Sequence, residues 1–175
     1  TTNSPHTFNK MMSSPVSQGI AGLRYIATRK GPLAVGAALA GGFARTRPGL
    51  DDPDIQMFFM PFEANSYSGE LLPESSFQVA FYQNRPESRG TLKLFSADPL
   101  AKPLIDPNYF AEPRDLELTK RGLRKAIEIG SSEAFKSVGA RQGYPAPDNP
   151  SDAALERYIR RTSNTVWHPV GTCKM

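Results

Sequence analysis

Apolar residues recur along this chain in two different periods, and the change from one to the other sets its layout. Residues 1–13 are polar with no period and read as a linker or extended arm. Ser14-Pro15 then offers an N-cap with proline at the first helical position, and Ile20, Leu23, Ile26 and Ala27 repeat at three- and four-residue spacing. That pattern predicts a helix from about residue 15 to 29, ended by Gly31-Pro32. Residues 40–47 and 54–62 are short apolar runs bounded by turn residues and predict strands. Residues 76–83 and 91–96 predict two more, joined as a long hairpin through 84–90. In the second of these, Leu92, Lys93 and Leu94 alternate as on a strand with one wet and one buried face. Leu104-Ile105 predicts a short edge strand.

From Pro113 to about Ser132 the period becomes helical. Leu116, Leu123, Ile127 and Gly130 share one face, while Arg114, Lys120, Arg121, Arg124 and Lys125 stand elsewhere on a face read as solvated. Residues 139–150, with three Pro and two Gly, predict a loop. Asn149 is the expected cap of the next helix, with Pro150 at its first position, Asp152 near its positive end, and Leu155, Tyr158, Ile159 and Thr162 as its inner stripe. Strands followed by helices, without strand–helix alternation, predict an α+β fold: a mostly antiparallel sheet with helices packed on one face.

Composition narrows the function classes. At 175 residues the chain makes one sizeable domain, and a chain of this size buries about 70% of its unfolded surface without a staple. Lys plus Arg number 21 against 17 Asp plus Glu, a net +4, and the basic residues are scattered. No basic stripe or spaced aromatic platform is present, so no nucleic-acid partner is expected. The longest apolar run, 32–43, is broken by Gly36, Gly41 and Gly42 and is too short to span a bilayer, so there is no clear membrane segment. One Cys excludes an internal disulfide framework and fits a reducing compartment, hence a cytoplasmic location. No metal-ligand set is expected. The chain opens without Met, basic leader or apolar h-region, and both ends read as cuts through a longer protein.

Chemistry gathers in residues 164–175, which hold the only Trp, the only Cys and one of two His. Pro169 biases His168 toward extended geometry, and Gly171 permits a turn. An imidazole on a rigid non-helical segment exchanges a proton near neutrality, as acid/base chemistry requires. The residues alone leave a second reading open, in which His168 is a hydrogen-bonded structural histidine under Trp167, itself core or interface. Cys173 nearby invites a thiolate reading, a Cys-His hydrolase, against that of a small buried hydrophobe.

The run Val166-Trp-His-Pro-Val-Gly-Thr-Cys-Lys-Met175 resembles the C-terminal signature of the GMC (glucose-methanol-choline) oxidoreductases, flavoproteins that oxidise alcohols. Ser88-Arg-Gly-Thr-Leu-Lys-Leu-Phe-Ser-Ala-Asp98, then Pro103-Leu-Ile-Asp-Pro-Asn-Tyr-Phe110, then Asp115-Leu116 and Gly122-Leu-Arg-Lys-Ala126, resemble in order and spacing the start of that family's substrate-binding domain. The resemblance covers about 85–175, with a looser match over 31–63.

The resemblance implies a linker and N-terminal helix over 1–30 and a substrate-binding domain over 31–175, with the FAD-binding domain outside this chain as a missing partner. Alcohol oxidation needs a hydride acceptor, which no side chain supplies; in the family it is FAD. By the same resemblance His168 handles the hydroxyl proton and, with Trp167, meets the flavin, while Phe62 and Trp167 line the substrate cavity. Plain core is the other reading of Phe62. A second active-site His or Asn falls past Met175. The glycine turn that cradles the dinucleotide has no counterpart, because Gly36, Gly41 and Gly42 are wrongly spaced. The expected substrate is a small-molecule primary alcohol, oxidised by a dehydrogenase rather than an oxidase. Choline dehydrogenase is an alternative, although choline-oxidising relatives carry Trp where this chain has 36–42 (Gly-Ala-Ala-Leu-Ala-Gly-Gly). An alternative of another class is a non-catalytic ligand-binding or interaction domain. The chain alone is expected to be flavin-free and inactive, with Trp167, Val166 and Val170 exposed as an apolar patch.

Overall fold

The computed structural model describes residues 1–4, 7–65, 68–143, 150–165 and 172. Three strands form the central sheet: β1 (Ala40–Ala44), β2 (Ile55–Met60) and β3 (Gln78–Gln83), antiparallel in the order β1-β2-β3. The register sets Gly42 and Phe81 on either side of Met57. Side chains alternate across a strand, and burial follows: Ile55 and Met57 of β2 are buried with Ala126, and Ala44, Val79 and Phe81 pack against them. Those residues define the covered face.

Two helices cover it. Helix α3 (Pro113–Gly130) starts with proline at its first turn and lies on β3, and α5 (Asp152–Thr162) packs on α3. Leu116, Leu123, Leu155 and Ile159 make the core between them, flanked by Phe81, Phe110, Ile127 and Tyr158. The helical periods and the inner stripes read from the sequence are therefore the ones observed. The expected cap is corrected: Asn149 lies outside the described residues, and Ser151 caps α5, its hydroxyl accepting from the Ala154 N–H. A single turn, α4 (Glu133–Lys136), sets Phe135 against Phe59 and Phe77 with ring centroids 5.6 and 4.7 Å away.

The long hairpin is not formed. Strand β3 pairs with β2, and β4 (Thr91–Lys93) pairs instead with β5 (Leu104–Asp106) in a separate two-stranded sheet. The cause lies in the connection. Asp115, buried at the start of α3, accepts from the Glu87 N–H, the Ser88 N–H and the Ser88 hydroxyl at 2.5–2.9 Å. These bonds turn the chain away from β3 before β4 begins. The alternation at Leu92 and Leu94 has no buried side here, since both are exposed, Leu94 at 87%.

Residues 1–13, read as a polar linker or arm, are docked onto the body largely through hydrogen bonds. The Thr2 N–H donates to Ser75 O and its hydroxyl to Val138 O, while the Arg141 N–H donates to Thr1 O. The arm also carries a short helix, α1 (Phe8–Met11), capped by Thr7. Helix α2 (Pro15–Thr28) follows, with a Ser14/Ser17 capping box, and ends at Arg29 in a left-handed conformation, two residues before Gly31. Its periodic residues face outward: Ile20, Leu23 and Ile26 are 62–71% exposed and only Ala21 is buried. The stripe predicted the helix correctly, but no partner for it stands among the described residues.

Candidate active site

The sequence-predicted site residues divide between the described part and the rest. Trp167 and His168 lie outside the described residues, as do Cys173, Val166 and Val170. Helix α5 delivers the chain toward them. It is fastened to α3 by Lys120, a residue 7% exposed, whose ammonium meets Glu117 at 2.6 Å, Asp152 at 3.7 Å and Glu156 at 3.9 Å. Arg124 adds a 2.6 Å contact to Asp152. The hydrogen bond from Lys120 to Glu117, helped by the other two carboxylates, holds the ammonium above its ordinary pKa in spite of desolvation. The Arg124 hydrogen bond holds Asp152 below its own. Lys120 was read from the sequence as part of a solvated basic face, and the structure corrects that. Glu117 on its own helix, together with Asp152 and Glu156 of the next, makes its burial tolerable.

Phe62 stands just past β2 rather than within it, half-buried, with its ring stacked on Phe8 at 6.1 Å and 11°. The turn that carries it is clamped by Asn9. That side chain, 2% exposed, donates to Glu63 O and Leu72 O at 2.8 and 2.7 Å and accepts from the Glu63 N–H at 2.9 Å. The Phe8 N–H donates to Pro61 O. Sequence reading did not find Asn9, because a polar residue in an aperiodic stretch gives no signal of burial. The face of the sheet away from the helices leads up to Phe62 and carries Phe58 and Tyr82, whose rings lie 5.5 Å apart.

A recess of about 260 Å³ at the β1–β2 connection is lined by Asp51, Asp52, Asp54 and Arg85 among others. Its charges are engaged structurally, Asp52 with Arg85 and Asp54 with the Thr46 N–H and hydroxyl.

Comparison with known proteins identifies the class. The sequence model described as GMC oxidoreductase matches residues 86–175, which include the run around His168. This chain belongs to the GMC oxidoreductase family. Among similar proteins, the alcohol dehydrogenase [acceptor] of Pseudomonas putida is 33% identical over 161 residues, 91% of this chain and 29% of that protein. The choline oxidase of Arthrobacter globiformis is 39% identical over 140 residues, 77% of this chain and 26% of that protein. The solved formate oxidase of Aspergillus oryzae, a structure concerned with FAD modification, superposes with a TM-score of 0.76 at 21% identity, over 99% of this chain and 35% of its own, and shares the fold. This GMC chain thus spans between a quarter and about a third of the length of these proteins.

The residues present fit one side of such a protein. A dinucleotide's diphosphate is cradled where a glycine turn links a strand to a helix N-terminus in a parallel sheet. Every described strand pair here is antiparallel, Gly41 and Gly42 lie within β1, and Gly36 precedes it. The described residues of this GMC chain do not fit the diphosphate of FAD. Among them, no group of three or more His, Cys, Asp or Glu side chains could hold a metal ion, and no helix is long and apolar enough to cross a membrane.

Proposed function

We propose that this chain is the substrate-side portion of an FAD-dependent oxidoreductase that oxidises a primary alcohol to an aldehyde, with residues 31–175 as its substrate-binding domain. The carrying observation is the GMC family match over 86–175, which takes in the His168 run. FAD supplies the hydride acceptor and is bound by a domain outside the segment spanned here. His168 takes the hydroxyl proton as the carbon is oxidised, Trp167 borders the flavin and the substrate, and Phe62 lines the cavity. His168→Ala in the full-length protein tests this. Turnover falls by about 10²-fold or more with flavin content retained, as expected for a proton-transfer group. Unchanged turnover refutes the assignment and favours a non-catalytic binding domain.

Choline is the second reading, favoured by relatives such as the choline oxidase above and the oxygen-dependent choline dehydrogenase of Rhizobium etli, 34% identical over 96% of this chain. A quaternary ammonium is held by an aromatic cage, and the 36–42 run contributes no ring. A neutral alcohol therefore remains the substrate class of the main reading. A panel on the full-length enzyme in which choline has the highest kcat/KM reverses that order.

A further inference from the structure

Strand β2 sends Ile55 and Met57 into the core beneath α3, so Gln56, Phe58 and Met60 project from the opposite face of the sheet. The register brings Phe43 of β1 and Tyr82 of β3 to either side of Gln56, and Ala80 beside Phe58. All six side chains are uncharged. Phe43 is 62% exposed, and the others on β2 and β3 are half-buried.

One polar pair stands in this apolar surface. The Tyr82 hydroxyl donates to Gln56 Oε1, and the Phe58 ring, tilted by 37°, braces the phenol at 5.5 Å. With its oxygen committed, the amide group keeps two N–H donors, and among the described residues they have no partner. An oriented donor in apolar surroundings makes a stronger hydrogen bond than one in water, and is costly to cover with hydrocarbon. The chain continues from the end of β2 into Pro61 and Phe62, the residue assigned above to the cavity.

We propose that, on the helix-free face of the sheet, the Gln56 amide donates a hydrogen bond to the alcohol oxygen, and that Tyr82 is the positioning residue that keeps those donors outward. This rests on the alcohol-oxidoreductase reading. The apolar residues around the pair take a hydrocarbon body.

The test is steady-state kinetics and thermal melting of the full-length protein, with 1-hexanol as probe and choline as the cationic comparison. Gln56→Leu raises KM for 1-hexanol about 3- to 10-fold, the span of one net hydrogen bond, at unchanged Tm. Tyr82→Phe raises KM less, and the double variant is no worse than Gln56→Leu, because Tyr82 acts only through the amide. An unchanged KM in Gln56→Leu, additive effects in the double variant, or a changed Tm with KM intact overturns the proposal, the last marking a face covered by protein. If Gln56→Leu does not fold, an unchanged KM in Tyr82→Phe overturns it. Turnover of choline without turnover of 1-hexanol refutes the neutral substrate. A full-length protein that oxidises no alcohol refutes the underlying reading instead.

Discussion

Gly122 of α3 lies so close to Phe81 of β3 that a Cβ on it would stand 2.4 Å from the ring. That contact lets the helix settle onto the sheet and fixes the height of α3 above Met57 and Ile55. Gly122→Ala therefore destabilises the fold by about 1–3 kcal/mol through overpacking. At Gly130, near the end of the same helix, an added Cβ meets nothing within 4 Å, so Gly130→Ala is neutral or stabilises by up to about 1 kcal/mol. Urea unfolding of the two variants side by side checks the contrast.

Asn9 predicts a second loss. Asn9→Ala removes three hydrogen bonds at a buried position and strands the Leu72 carbonyl and the Glu63 N–H, while the Glu63 carbonyl keeps its bond from the Leu72 N–H, with an expected cost of about 2–4 kcal/mol. Because the same clamp carries Phe62, the variant of the full-length enzyme is expected to show a raised KM for its alcohol as well as a lower Tm. A lower Tm with KM unchanged would separate Phe62 from the substrate.

The Lys120 cluster predicts the pH dependence of stability. Lys120 is held above its ordinary value of 10.5, so its contribution is complete below that pH and is lost as pH rises through the folded value. Asp152 is held below its ordinary 3.8, so its contribution is complete above that pH and is lost as pH falls through the folded value. Thermal melts from pH 3 to 11 should show a plateau with these two edges. In Lys120→Met the alkaline edge loses the Lys120 component, and an unaltered alkaline profile would contradict the assignment.

The exposed stripe of α2 and the exposed Leu94, Phe95 and Leu100 beyond β4 predict self-association of the chain produced alone. Replacing Ile20 and Leu23 together by Gln lowers the apparent mass in sedimentation without loss of helical circular dichroism. A monomer that is unaffected by the pair contradicts this.

The parts legible in the sequence were those whose cause is local. Leu116, Leu123, Leu155 and Ile159 repeat at helical spacing and form the observed core, and the aromatic run of β2 sits between turn residues as a strand should. Partner choice was not legible. The split of β3 from β4 depends on Asp115 reaching back 27 and 28 residues to Ser88 and Glu87, and no periodicity records such a bond. The arm was misread because Thr2, Thr7 and Asn9 are buried by hydrogen bonding, whereas pattern reading detects burial only through apolar residues. The run around His168 was legible as a motif through its neighbours; the Gln56–Tyr82 pair needed the register of two strands.

Helix α2 has little holding it together from within. Gly19 and Gly22 interrupt it, Val16, Ile20 and Ile26 are β-branched, and its only buried residue is Ala21. A fourteen-residue helix of that composition is marginal in water unless something packs on it. Its backbone amides therefore act as a clock for assembly: they exchange with solvent deuterium quickly while the stripe is bare and slow down when a surface closes over Ile20 and Leu23.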